Sequence, residues 1–137
     1  MWFILFLYML PQPPAAPPGA GTTGLDYDIF KARVQPLFLE KRPGHARCYV
    51  CHSTGTQFRL QPLSAGATAW TEDQSQKNFD AVKRFVLPGV PLKSRLLTMP
   101  LAAEAGGVAF HPGGKHWQSQ DDPEWKLLAA WVNGAKP

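Results

Sequence analysis

Five consecutive residues, Cys48-Tyr49-Val50-Cys51-His52, carry the clearest chemistry in this chain. Two thiols three positions apart, followed at once by a histidine, match the C-x-x-C-H signal for covalent attachment of c-type haem. Thiols at this spacing can reach the two vinyl groups on one edge of a porphyrin. The adjacent imidazole then lies beneath the iron and supplies its proximal ligand. Other chemistries for the pair are weaker. Zinc normally takes four ligands, and Cys48 and Cys51 are the only cysteines, so such a site would have to recruit His45, His52, His111 or His116. A thioredoxin-like redox pair needs a βαβ context, which the chain lacks. Inert buried thiols are the bland reading. One covalent haem c, with Cys48, Cys51 and His52 as its attachment and proximal-ligand residues, is the cofactor expected.

Other side chains that can touch a bound group follow later in the chain. Met99 sits in Thr-Met-Pro and His111 in His-Pro-Gly-Gly. Either can ligate a metal from a loop; otherwise Met99 fills a core gap beside Leu96 and Leu97, and His111 is a turn histidine with an exposed ring. Arg47, beside the motif, can pair with a haem propionate or remain a solvated charge. His45 and His116 read as surface or propionate-side residues, and Trp117 and Trp70 as cofactor-packing or core aromatics. No residue is assigned a catalytic role, because no acid–base constellation is present.

The elements that must position these residues are helical. Asp26 can cap a helix in which Tyr27, Phe30, Val34 and Phe38 recur at helical spacing, and Pro36 should kink or end it. Thr71 with Gln74 forms a capping box for a second helix, with Ser75, Phe79, Val82 and Val86 on one face and Pro88-Gly89 as its stop. Pro91–Leu97 reads as a short helix with proline first. The clearest element is the last: Asp121 or Asp122 caps, Pro123 takes the first position, and Trp125, Leu128, Trp131 and Val132 make an apolar stripe that ends at Gly134. Gly55–Ala69 shows no period, so Phe58, Leu60 and Leu63 pack singly. Residues 98–120 form a long Gly-rich loop, of a length that is usually functional when it is ordered. The fold class is therefore all-α: three or four helices, long loops and no convincing strand pair.

Length and composition agree. The chain has 137 residues, 45% of them hydrophobic, with 14 prolines and 12 glycines. That is one domain, too short for a large nucleotide-binding α/β architecture. The net charge is +4, but the basic residues are scattered without a dense run. Such a field suits an acidic protein partner, and nucleic acid is not expected. Residues 2–10 are continuously apolar and are followed by a Pro-rich stretch. This resembles a secretory signal without its basic start, and it is shorter than the roughly 20 residues of a membrane-spanning helix. Residues 1–24 therefore read as leader and linker, and 25–137 as the folded domain. The working chain is expected to begin near residues 16–25. A retained apolar segment would instead serve as a membrane anchor or as an assembly contact through residues 1–20.

The stretches DYDIFKARVQPLFLEKRPGHARCYVCHS, PLKSRLL, HPGGKHW and DDPEWKLLAAWVNGAKP resemble the Planctomycete-type cytochrome c domains, a small class-I-like family. The likeness covers about residues 26–137. It implies an all-α cytochrome c fold with one haem, crossing first and last helices, and electron transfer in the periplasm or outside the cell. It also bears on the distal iron ligand. In that family a Ser-x-Leu-Leu type helix precedes the ligand by about 14–17 positions, and the final helix starts about ten after it. Ser94 lies 17 positions before His111, and Asp121 lies 10 after it. His111 thus stands where many relatives carry Met-Pro, with Met99 as the alternative and His116 or an open site behind them. A bis-histidine iron has a lower potential than a His/Met iron.

The function these readings imply is that of a single-electron carrier, working with redox partner proteins outside the cytoplasm. Two other classes compete. A haem peroxidase or gas-binding sensor would need an open distal position. A self-assembled, electron-conducting polymer would use residues 1–20 as its contact.

Overall fold

The computed structural model describes residues 24–135. The apolar run 2–10, the Pro-rich stretch and the leader, anchor and assembly roles expected of them lie outside the described residues. Within those residues the protein is helical. Its one β-like feature is an isolated parallel bridge between Leu101 and Trp117. No described helix is long and apolar enough to cross a membrane.

The first helix, α1 (Tyr27–Ile29), starts where the sequence places it, with the Asp26 carboxylate accepting the Ile29 N–H at 2.9 Å. It then widens into a π-helical stretch, Phe30–Val34, and tightens into a 3-10 turn, Gln35–Phe38. Pro36 explains the change. It offers no N–H, and its ring collides with the carbonyl four residues back, so an α-helical hydrogen-bond ladder cannot run through it. The Gln35 N–H bonds instead to the Phe30 carbonyl.

Next come α2 (Cys48–His52), α3 (Glu72–Lys83), α4 (Arg95–Thr98) and α5 (Pro123–Val132). The described residues thus hold five α-helical segments, where periodicity gives three or four helices. The extra ones are single turns, too short to repeat a pattern. Two boundaries also differ from expectation. The Thr71–Gln74 capping box is present, but α3 ends at Lys83, before Pro88, and Val86 packs beyond it. The stretch expected as one helix over Pro91–Leu97 is split into a 3-10 turn, Pro91–Lys93, and α4, because Ser94 between them is extended at ψ 113°. That residue is fully buried. Its hydroxyl accepts the Leu87 N–H at 2.9 Å and faces the Val90 carbonyl at 3.0 Å, contacts that a continuous helix would break.

The last helix is capped by Asp122, whose carboxylate accepts the Glu124 N–H, and its stripe of Trp125, Leu128, Trp131 and Val132 is buried. Trp131 packs on Phe30 with ring centres 5.7 Å apart, and its indole N–H donates to the Asp26 carbonyl at 2.9 Å. First and last helical segments therefore meet directly. Phe79 of α3 closes on Phe30 from the other side at 5.2 Å.

A buried polar chain runs beside this aromatic cluster. The Gln35 amide donates to Ser75 Oγ at 2.9 Å, and the Asn78 amide donates to Gln35 Oε1 at 3.2 Å. Asn78 Oδ1 accepts the Gln61 N–H at 2.7 Å. Ser75 and Asn78 are both fully buried. The chain fastens α3 to the first segment and to the loop that follows α2.

Asn78→Ala is expected to cost about 2–3 kcal/mol, since it strands Gln35 Oε1 and the Gln61 N–H inside the fold. Lys77→Gln, which removes only the exposed Lys77–Asp73 pair, should cost less than about 0.5 kcal/mol. Denaturant unfolding of the two variants checks the contrast.

Candidate functional site

The C-x-x-C-H motif forms α2, a single turn entered from Arg47 in an extended conformation. Helical geometry brings residues i and i+3 to one face, so Cys48 and Cys51 share a side and His52 follows directly. Both thiols are free. They border a cavity of about 340 Å³ that also takes in Arg47, His52, Met99, His111, His116 and Trp117. The motif residues thus share one space with Arg47, Met99, His111, His116 and Trp117, while His45 and Trp70 lie outside its lining. Most of the remaining wall is apolar, including Phe38, Phe58, Phe85, Leu96 and Leu128.

Two imidazoles dominate the cavity. The rings of His52 and His111 lie with centres 6.3 Å apart and planes within 14° of parallel. Each is held by a backbone carbonyl: His52 Nδ1 is 2.8 Å from the Phe58 oxygen, and His111 Nδ1 is 2.7 Å from the Gly114 oxygen. A carbonyl only accepts, so Nδ1 carries the proton in both rings and the Nε2 lone pair is left available. That is the usual way in which a ligating histidine is oriented from behind. Metal–imidazole bonds are about 2.0 Å long and a ring nitrogen lies about 1.2 Å from its ring centre, so two imidazoles ligating one ion from opposite sides have centres about 6.4 Å apart. The ring centres in the structure stand at a similar distance, 6.3 Å. Burial depresses the pKa of His52, with the Phe58 carbonyl pulling the other way, so its ring is neutral at pH 7. A neutral ring is the form that binds metal.

Local sequence explains both placements. After α2 the chain doubles back, with the Leu60 N–H donating to the His52 carbonyl, which sets the Phe58 oxygen behind the ring. His-Pro-Gly-Gly closes a turn in which the Gly114 N–H donates to the His111 carbonyl at 2.9 Å. Gly114 has φ +83°, and a Cβ there would stand 3.2 Å from the His45 ring. A glycine is therefore required for the carbonyl to face His111.

The long loop is ordered without regular structure. Pro100 and Ala102 bond to the Trp117 backbone on one side of the bridge and the other. The Lys115 ammonium donates to the Met99 and Val108 carbonyls. Met99 lines the cavity from the end of α4. Half-buried His116 lies against His45 with ring centres 4.6 Å apart. Burial, reinforced by Arg42 and His45, brings its pKa down to about 4. Trp70 sits apart from the cavity, buried, with its indole N–H on the Gln61 carbonyl at 2.7 Å.

Sequence reading missed one residue here, counting Arg42 among the scattered charges. It is buried, and its Nε donates to Glu124 Oε2 at 2.6 Å. Its other nitrogens reach the Leu37 carbonyl at 3.1 Å and Cys48 Sγ at 3.7 Å. The same Glu124 oxygen accepts the Trp117 indole N–H at 3.0 Å. Burial raises the Cys48 thiol pKa above its ordinary value, while Arg42 pulls it down. No sequence pattern marks this pair, whose partners stand 82 positions apart.

Among the described residues, no three His, Cys, Asp or Glu side chains gather as ligands for a bare metal ion. The protein groups fit a cofactor that brings its own equatorial ligands. Two thiols and two near-parallel imidazoles line one space, and most of the rest of the lining is apolar.

Arg42→Met is expected to destabilise the fold by about 3 kcal/mol, because it leaves Glu124 half-buried beside Trp117 without its cation. Arg42→Lys should restore little, as one ammonium cannot reach Glu124 and the Leu37 carbonyl together. Guanidinium melts of both variants measure this. Searches against protein-family models, curated proteins and solved structures match nothing to this chain.

Proposed function

We propose that this chain is a monohaem c-type cytochrome that passes single electrons between redox proteins outside the cytoplasm. The observation that carries the reading is the pair of near-parallel, carbonyl-held imidazoles, His52 and His111, with centres 6.3 Å apart in a cavity bordered by Cys48 and Cys51. In this reading Cys48 and Cys51 hold the haem c covalently, His52 is the proximal ligand and His111 the distal one. When bound, the haem supplies an iron that cycles between ferric and ferrous states.

The protein's own groups do the rest. The Phe58 and Gly114 carbonyls fix both imidazoles, so neither ring has to turn when charge changes between them. The apolar part of the wall would shield a bound group from water on those sides. Arg47 at the rim and buried Arg42 supply positive charge toward cofactor carboxylates. Met99, the alternative distal ligand, lines the cavity without a counterpart to the His52–His111 pairing. Two histidine ligands imply a lower potential than a His/Met pair. No acid–base step is needed, so the role is that of a carrier and not of an enzyme. Covalent haem attachment takes place outside the cytoplasm, which gives the apolar N-terminal run an export role. Self-assembly through residues 1–20 is the competing use of that run. The net charge of +4 suits acidic redox partners.

Expression in a host competent for c-type attachment tests the reading. The purified chain should be red and low-spin, with a mass raised by about 0.6 kDa, one covalent haem. Cys48→Ala with Cys51→Ala should abolish the added mass. His111→Ala should give high-spin iron that binds added imidazole, while Met99→Ala leaves the spectrum unchanged. A folded, colourless product from the unaltered chain would overturn the proposal.

A further inference from the structure

The turn between α3 and α4 presents its side chains the wrong way round for a soluble loop. Leu87, Val90 and Leu92 are 48%, 36% and 48% exposed, within the run Leu87-Pro88-Gly89-Val90-Pro91-Leu92. The polar backbone of the same turn faces inward. Buried Ser94 holds it through the Leu87 N–H and the Leu87 and Val90 carbonyls. The Gly89 N–H donates to the Val132 carbonyl at the end of α5 at 2.8 Å. Pro88 and Pro91 stiffen what remains. The apolar side chains are thus held outward by a backbone that is anchored from behind, and they cannot be withdrawn by a small rotation.

The flanks are cationic. Exposed Lys83 and Arg84 precede the turn, and exposed Lys93 and Arg95 follow it. Lys83 is paired with Asp80, and Arg95 lies over the Phe85 ring. Arg84 and Lys93 have no ion-pair partner among the described residues. An acidic side chain, Glu104, stands in the neighbouring 3-10 turn, whose Gly106 approaches Leu92. The local balance remains positive.

We infer that this turn is a membrane-surface contact, with Leu87, Val90 and Leu92 entering the headgroup region of an anionic bilayer and Arg84 and Lys93 resting on its phosphates. An exposed apolar turn flanked by exposed cations is what such an interface recognises, because apolar burial and attraction to anionic lipid then act together. The contact is separate from the chemistry of the cavity and stands whether or not haem occupies it.

Co-sedimentation of the full chain with vesicles tests this. Binding is expected to vesicles of phosphatidylcholine with about 25% phosphatidylglycerol in about 0.1 M salt, and to fall at least about fivefold in 0.5 M salt as charge is screened. Replacing Leu87, Val90 and Leu92 together by serine should lower partitioning at least about tenfold, and R84Q with K93Q at least about fivefold. All three apolar positions are exposed, so the thermal midpoint should hold within about 3 °C of the parent's. Both variants retain residues 1–23, so any binding by that segment cancels in the comparison. Partitioning of the triple-serine variant equal to the parent's would overturn the inference. So would a parent chain that ignores anionic vesicles while binding an acidic protein through the same residues.

Discussion

One ion pair holds the site together. Arg42 and Glu124 bring four parts of the chain to a single point: the end of the first helical segment through Leu37, the motif turn through Cys48, the long loop through Trp117, and the start of α5 through Glu124 itself. Burial of an arginine is costly unless its donors are satisfied, and here a carboxylate and a carbonyl take them. The carboxylate gains twice, because it sits in the first turn of α5, where the helix dipole also favours negative charge. Few regular elements pack against one another in this protein, so such a junction does what a sheet would do in a larger domain. The loop carrying His111 and the turn carrying His52 keep their separation because both are tied, directly or through a neighbour, to this point.

Parts of this were legible in the sequence. The capping residues Asp26, Thr71 and Asp122, the stripe of α5 and the terminating Gly134 follow local rules that depend on a few adjacent residues. The motif was legible for the same reason, since thiols at i and i+3 before a histidine leave little choice about which groups meet. Arg47, Met99, His111, His116 and Trp117 line one cavity. In the sequence, the case for His111 over Met99 rested on spacing to flanking helices. The structure adds a near-parallel pair of rings, His52 and His111, each with a backbone carbonyl behind it.

What was not legible depends on distant partners. Arg42 looks like any other surface cation until Glu124 is brought to it. Asn78 falls on the buried face of α3, where a pattern reader expects an apolar residue, and its role is set by Gln35 and the Gln61 backbone. The split of Pro91–Leu97 is another case. Ser94 bonds back to the chain that precedes it, and that preference outweighs the helix propensity of its neighbours. Loop order over 98–120 is likewise carried by a lysine, Lys115, that caps carbonyls from two separate stretches.

The indole N–H of Trp131 and the carbonyl of Asp26 are separated by 105 positions, nearly the whole described chain. Closing so long a loop costs entropy that only the completed aromatic cluster can repay. Phe30 can meet Phe79 of α3 earlier, but its α5 partner Trp131 only once that helix has been made. The junction of the first and last helical segments is thus a late contact, and everything it braces waits for α5.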